Sequence, residues 1–229
     1  MESRCECLII GARFFRRGMT EPQTALTDPN DVEVSESELT PAAQIGAVLF
    51  RNRGWLPVVF LAVPLLLPGT TSWRRWIMGA LLIIAGEAFR LAGVAAAGTT
   101  TRRRSRNVSE LVTHGAFAWS RNPLYNGNFL IWMGFVVISG VMWFLPFAML
   151  LYALEYSLIV RYEEGVLESI FGREYLEYKQ CTPRWVPSKP KLESSGELRW
   201  REAFKSEIST FGAYLVLIIA FIIKAQFVS

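Results

Sequence analysis

The chain has 229 residues, of which 52% are hydrophobic and 19% charged, with a formal net charge of +4. Its mean hydropathy is +0.27. This composition excludes an intrinsically disordered chain, which would lack the apolar residues needed for a core. With three cysteines and one histidine, it also disfavours a disulfide-stapled secreted module and a zinc site. Because the apolar residues are clustered, we predict an integral membrane protein with no bound metal.

The first 44 residues contain no apolar run long enough to cross a membrane. Residues 20–41 are rich in Asp, Glu, Ser, Thr and Pro, which is typical of disordered segments. The short apolar stretch 8–15 precedes its basic residues, the reverse of a signal peptide. We therefore predict a disordered tail over residues 1–44, with Met19 as an alternative translation start.

Five hydrophobic segments follow the tail. They cover residues 54–68 (or from about 45), 76–97, 129–140, 143–160 and 211–227. The third and fourth are short and nearly contiguous, so they predict a helical hairpin. The expected fold class is all-α, a membrane helical bundle of about five transmembrane segments. We divide it into a membrane domain, 45–190, and a C-terminal linker with an extra helix, 191–229.

Lys and Arg residues indicate the orientation in the membrane. They are concentrated in two polar spans, 98–126 and 161–210. Cytoplasmic loops carry an excess of such residues, so we expect the N-terminus and both spans on the cytoplasmic side of a bacterial inner membrane. Basic residues beside membrane segments face anionic head groups, and no motif in the chain indicates a nucleic-acid partner.

Glu87 and Arg90 lie three residues apart within the second hydrophobic segment. A charge at bilayer depth costs about 2.5–3.5 kcal/mol on insertion scales, and the i, i+3 spacing allows the two side chains to pair. Two interpretations stay open. The pair either docks one helix on another or forms the polar wall of a pocket.

Two polar stretches contain the remaining candidate residues. The first, LVTHGAFAWSRNPLYNGNFLIWMG, covers residues 111–134 and contains Asn122-Pro123. Asn is a good N-cap and Pro suits a first helical turn, and the N–H groups of such a turn can bind an anion. The second, RYEEGVLESIFGREYLEYKQCTPRWVP, covers residues 161–187 and contains Glu163 and Glu164. Adjacent carboxylates repel each other, so this pair marks either a solvated helix start or a site for a cation.

The order of these motifs resembles the superfamily of isoprenylcysteine carboxyl methyltransferases and phospholipid N-methyltransferases, which are integral membrane enzymes. The resemblance covers residues 87–187 and rests on LVT-x-G-x-F-A, R-N-P-x-Y-x-G, the apolar hairpin and EE-x-x-L-x-x-x-FG-x-x-Y-x-x-Y. It implies S-adenosyl-L-methionine as cofactor, bound at the cytoplasmic face and partly covered by the C-terminal segment. The implied acceptor is a membrane lipid or a small lipophilic molecule with an amine, thiol or carboxylate.

The resemblance also implies roles for individual residues. Cofactor contacts are expected from Ser109, Glu110, Leu111, Val112, Phe117, Asn122, Pro123, Leu124, Tyr125, Glu163 and Glu164. The residues expected nearest the reaction are Arg121, Asn122 and Tyr125, and substrate contacts are expected from Glu87, Arg90 and Arg161. The chain departs from the superfamily pattern at Asn122, where His is common, and at Ile159, where the carboxyl methyltransferases carry Arg. The second departure disfavours a prenylcysteine carboxylate as acceptor.

Two other functions fit the membrane core: a reductase that uses NADPH and a non-catalytic scaffold. The double-Glu motif argues against an anionic dinucleotide. A soluble methyltransferase of the Rossmann type is excluded, because the chain has neither a G-x-G-x-x-G motif after a strand nor alternating strands and helices.

Overall fold

The structure is a computed structural model that describes residues 41–98, 110–191 and 195–227. In these ranges the regular secondary structure is all helical, with no strand. The helices are α1 (Pro41–Asn52), α2 (Leu56–Leu66), α3 (Trp73–Ala97), α4 (Ala116–Trp119), α5 (Pro123–Ser139), α6 (Phe144–Phe171), α7 (Arg173–Cys181) and α8 (Trp200–Phe227). The tail predicted over residues 1–44 lies outside the described residues up to residue 40, and α1 begins directly after it.

The predicted all-helical membrane fold is confirmed. Within the described residues, α3, α6 and α8 are long and apolar enough to cross a membrane, and α1 with α2 makes a fourth span if this bent pair counts as one. Helix α5 has 17 residues, about 25 Å at 1.5 Å per residue. By length and composition the described helices thus give three or four spans, against the five predicted.

Several predicted boundaries differ from the structure. The first hydrophobic segment is two helices that meet at 82°. Helix α5 begins at Pro123 rather than near residue 129, because Pro123 provides its first turn. Helix α6 continues past residue 160 to Phe171. Glu163 and Glu164 therefore lie inside a long helix, and the interpretation of a solvated helix start is wrong.

Helices α3 and α5 run antiparallel with their backbones in close contact. Gly79 and Gly86 of α3 face Gly134 and Gly127 of α5. A Cβ on Gly86 would lie 2.5 Å from the carbonyl oxygen of Gly127, and one on Gly134 would lie 2.7 Å from that of Gly79. Small residues allow this approach between membrane helices. The glycines thus bring the functional residues of α3 and α5 to one side of the bundle.

The predicted helical hairpin is formed by α5 and α6, and an aromatic cluster joins its arms. The rings of Tyr152 and Tyr156 stack with centroids 4.1 Å apart, and Trp132 of α5 meets both edge-on. The Tyr152 hydroxyl donates to the Tyr125 carbonyl at 2.7 Å. The hairpin is therefore fixed at the end where α5 begins.

Lys224, near the end of α8, fastens three helices together. Its buried ammonium donates to the carbonyl of Pro64 in α2 at 2.5 Å and to that of Ser139 in α5 at 3.2 Å. Residue 68, one turn after Pro64, is also a proline and has no N–H to donate. Ser139 is the last residue of α5. Lys224 therefore satisfies carbonyls at two helix C-termini, where a cation is favoured.

Candidate active site

A cavity of about 1890 Å³ lies between the helices and has a polar and an apolar half. The polar half is lined by residues 110–112, His114, Phe117, residues 121–125, Glu163, Glu164, Tyr175, Tyr178, residues 195–197 and Arg199. The apolar half lies among α2, α5 and α8 and is lined by Pro57, Val58, Leu61, Ala62, Leu65, Leu66, Ile131, Trp132, Phe135, Ala213, Val216 and Leu217. The cavity can therefore hold a polar ligand beside an apolar one.

Glu163 lines the polar half of the cavity. The Tyr125 hydroxyl donates to its Oε1 at 2.9 Å, and Nη1 of Arg53 lies 3.6 Å from the same oxygen. The side chain retains 27% exposure. Glu163 is therefore a fixed carboxylate with access to the cavity, suited to a cationic ligand.

The neighbouring acid, Glu164, is held by two arginines. Arg184 makes a bidentate contact, with Nε 3.1 Å from Oε1 and Nη2 2.5 Å from Oε2. Nη1 of Arg121 lies 3.3 Å from Oε1. Because Glu164 is buried and doubly paired, its carboxylate joins α6 to the segments around Arg121 and Arg184. The two adjacent acids thus have different surroundings.

Arg121 lines the polar half of the cavity. Its side chain is 9% exposed, its Nη1 is paired with Glu164, and its Nε donates no hydrogen bond among the described residues. The backbone N–H of Arg121 donates to the Pro183 carbonyl at 2.9 Å, which fixes its position. A buried guanidinium with an unused N–H group can bind a carboxylate.

Asn122 occupies the N-cap position of α5, as predicted, but its side chain does not cap the helix. The side-chain amide donates to the Arg184 carbonyl at 3.0 Å instead. Asn126 donates to the next carbonyl, that of Trp185, at 2.7 Å. The predicted capping is wrong because the neighbouring segment offers backbone acceptors that draw the amide away. The side chain at the N-cap position therefore makes no capping bond to the first turn of α5.

The loop before α4 supplies further lining residues. Glu110, Leu111, Val112 and Phe117 line the cavity, and the Tyr178 hydroxyl donates to the Phe117 carbonyl at 2.8 Å. Burial raises the pKa of the Tyr178 phenol, so it stays protonated and remains a donor. Ser109, which was also predicted to contact the cofactor, lies outside the described residues.

His114 also lines the polar half of the cavity. Its ring lies against Gly196, where a Cβ would overlap the imidazole. Its Nε2 is buried and has no hydrogen-bond partner in the described part of the chain. The imidazole is therefore packed beside the cavity with one unused polar atom.

A polar cluster links α3, α5 and α8 beside the apolar half. The predicted pair of Glu87 and Arg90 is present, with 3.4 Å between Oε2 and Nε. Nη2 of Arg90 lies 2.8 Å from Oε2 of Glu207, Nη1 donates to Asn128, and the Tyr214 hydroxyl donates to Glu87 at 2.8 Å. Of the cluster, all but Glu87 also line the cavity. Both residues of the pair therefore join helices, and Arg90 also borders the cavity.

Glu207 and Tyr214 are not among the residues predicted from the sequence. Glu207 fell within a span interpreted as a polar loop, and α8 begins earlier than the hydrophobic segment that predicted it. The signal available was the spacing of Glu207, Thr210 and Tyr214, which is i, i+3 and i+7 and places all three on one helix face. Their partner on α3 could not be read from that spacing.

Two residues lie away from the cavity. Arg161, predicted to contact the substrate, is exposed and does not line it. Ile159 is fully buried in the core of the hairpin. Among the described residues, no group of three or more His, Cys, Asp and Glu side chains could hold a metal ion.

The chain matches the phospholipid methyltransferase family over residues 74–174. It is 33% identical over 138 residues to protein-S-isoprenylcysteine O-methyltransferase B of Arabidopsis thaliana, which covers 56% of this chain and 68% of that protein. It is 33% identical over 119 residues to the Homo sapiens protein-S-isoprenylcysteine O-methyltransferase, covering 48% of this chain and 40% of that protein. The nickel-cobalt-cadmium resistance protein NccN of Alcaligenes xylosoxydans xylosoxydans is 29% identical over 134 residues, 58% of this chain and 62% of its own length. No solved structure matches the chain.

The helical membrane fold, the cavity and these similarities define a membrane-embedded methyltransferase. The chain belongs to the superfamily of isoprenylcysteine carboxyl methyltransferases and phospholipid methyltransferases. The predicted superfamily and enzyme class are confirmed. The family match ends at residue 174, so α8, with Glu207 and Tyr214, lies beyond it.

Proposed function

We propose that the protein transfers a methyl group from S-adenosylmethionine to a lipophilic acceptor. The cofactor would occupy the polar half of the cavity and the acceptor the apolar half. The observation that carries this proposal is Glu163, a cavity-lining carboxylate held by Tyr125 at 2.9 Å. The ring of Tyr125 in turn contacts Tyr156, next to the aromatic cluster that begins the apolar half.

The residues present fit each part of S-adenosylmethionine. Its ammonium and sulfonium suit the carboxylates of Glu163 and Glu110. Its carboxylate suits the Nε–H of Arg121, which has no hydrogen-bond partner among the described residues, and the first turn of α5, whose N-cap side chain makes no capping bond. Its adenosine suits Phe117 and the packed imidazole of His114. Ser109 remains a predicted contact.

The acceptor would enter from the bilayer, between α2 and α8. Val58 and Leu66 of α2 and Val216 of α8 line the cavity and are exposed. An apolar half that opens onto an apolar surface suits a lipid-like molecule. This route needs no passage of the acceptor through water.

S-adenosylmethionine supplies an electrophilic methyl group, whose bond to sulfur breaks as the bond to the acceptor forms. The protein must hold donor and acceptor in line and exclude water. Tyr125 orients Glu163 for binding, and Arg121 is fixed by Pro183 and Glu164. Asn122 fixes the segment around Arg184. We place this site on the cytoplasmic side, following the Lys and Arg residues that surround it.

The test is calorimetric binding of S-adenosylmethionine and S-adenosylhomocysteine to the full chain in nanodiscs. We expect Glu163→Gln to weaken binding at least about tenfold, which corresponds to roughly 1.4 kcal/mol. Glu168→Gln is the matched control, because Glu168 is on the same helix, pairs with Lys179 and does not line the cavity. If folded protein binds neither ligand, the cofactor assignment fails. Binding of NADPH would then favour a reductase, and no binding would favour a scaffold.

A further inference from the structure

We propose that α8 completes the acceptor site, with Glu207 positioning Arg90 against the polar end of a lipophilic acceptor that carries no negative charge. This inference rests on the proposed methyl transfer and identifies the acceptor class. Arg90 is the group that contacts the acceptor, and Glu207 is a positioning residue. The acceptor's tail would lie in the apolar half of the cavity, between α2 and α8.

Two ionisable side chains are buried next to the cavity. Glu207 is fully buried on a membrane-spanning helix, and Arg90 keeps 16% exposure of its side chain. Both line the cavity. Ionised groups inside a membrane protein are costly and are found mainly where they bind or transport something. The cluster therefore indicates a binding site at the deep end of the polar half.

Helix α8 has other contacts that dock it on the bundle. The N–H of Arg199, just before α8, donates to the Ala95 carbonyl of α3 at 2.8 Å. Near the other end of α8, Phe221 stacks on Phe135 of α5, and Lys224 binds two helix ends. An apolar contact in place of the ion pair would avoid its desolvation cost. A role in ligand binding explains why charges are present there.

The charges around Arg90 restrict the charge of the acceptor. The guanidinium of Arg90 lies 2.8 Å from a Glu207 oxygen and 3.4 Å from a Glu87 oxygen. An acceptor carboxylate would compete with both carboxylates for the same cation and would be repelled by them. A neutral end would not be repelled, and a protonated amine would be attracted by the two carboxylates. The Tyr214 hydroxyl holds Glu87 in place at 2.8 Å. The geometry thus favours an amine or a thiol over a carboxylate.

The experiment measures methyl transfer by the full chain in nanodiscs to three probes with the same tail, dodecylamine, dodecanethiol and dodecanoate. We expect transfer to the amine or the thiol and none to the acid. Glu207→Gln should raise the acceptor KM by about tenfold or more, with cofactor Kd within about twofold of the unchanged protein. Glu207→Asp should restore part of the loss. Glu202→Gln is the control, because Glu202 is exposed on the first turn of α8 and does not line the cavity.

Tyr214→Phe keeps the charges and removes only the hydroxyl that holds Glu87, so it serves if Glu207 variants fail to fold. It should raise the acceptor KM about threefold, with cofactor Kd unchanged. Preferential methylation of dodecanoate would overturn the inference, as would an acceptor KM that neither α8 substitution changes. If the unchanged protein does not bind the cofactor, the proposed methyl transfer is overturned instead. The two failures are therefore distinguishable.

Discussion

The Tyr125 hydroxyl donates a hydrogen bond to Glu163 across the α5–α6 hairpin, with 2.9 Å between the two oxygens. Tyr125 lies in the first turn of α5 and Glu163 near the end of α6. The bond therefore fixes a carboxylate of one arm of the hairpin relative to the helix start on the other arm. The proposed cofactor site depends on this contact, because both Tyr125 and Glu163 line it.

Removing the hydroxyl from Tyr125 should weaken cofactor binding. A hydrogen bond to a charged group contributes about 1.5–3 kcal/mol, so Tyr125→Phe is expected to raise the Kd for S-adenosylmethionine by about tenfold in calorimetry. The control is the double variant with Glu163→Gln. If the hydroxyl acts through Glu163, the two losses will not add. Fully additive losses would contradict the coupling.

Substitutions of the two adjacent acids should have different effects. Glu163→Gln should mainly weaken cofactor binding, and Glu164→Gln should mainly lower the stability of the fold. Glu164→Gln removes a buried carboxylate that pairs with Arg121 and Arg184, and breaking a buried pair costs about 3–5 kcal/mol. We expect thermal unfolding in detergent to occur at a clearly lower temperature for this variant than for Glu163→Gln. Cofactor binding should show the larger loss for Glu163→Gln. Equal unfolding temperatures of the two variants would contradict a structural role for the ion pairs of Glu164.

Substituting a glycine at the α3–α5 contact should destabilise the bundle. A Cβ on Gly86 would overlap the Gly127 carbonyl, and overpacking costs about 1–3 kcal/mol. Gly86→Ala should therefore unfold at lower temperature than the unchanged protein. Gly165→Ala is the matched control, because a Cβ there meets nothing within 4 Å and alanine favours the helix. Equal stability of the two variants would contradict the close contact between α3 and α5 at Gly86.

Replacing Lys224 should loosen the junction of α2, α5 and α8. Lys224→Met leaves two helix-end carbonyls without their donor, and each unsatisfied buried group costs about 1–3 kcal/mol. We expect a lower unfolding temperature. Lys205→Met is the control, because Lys205 is an exposed lysine on the same helix. Equal unfolding temperatures of the two lysine variants would contradict the role of Lys224 in joining α2, α5 and α8.

The motif order in the sequence was sufficient to predict the all-helical membrane fold and the superfamily. Most of the proposed cofactor residues, including Phe117, Tyr125 and Glu163, do line one cavity. These predictions were possible because apolar length and local motif spacing are properties of neighbouring residues. Arg161 was predicted on the same basis and lies outside the cavity, because the continuation of α6 turns its side chain to the surface.

Only the tertiary structure decided which groups meet across the bundle. Arg90 and Glu207 are separated by more than a hundred residues, and no local pattern pairs them. The Asn122 amide donates to the Arg184 carbonyl instead of capping the helix, because the tertiary structure brings this carbonyl of a distant segment within reach. Hydrophobic length selects membrane helices from the sequence alone. The partner of a buried polar group depends on which helices pack together. In this protein the packing depends on the glycine contacts between α3 and α5 and on the hydrogen bonds of Lys224.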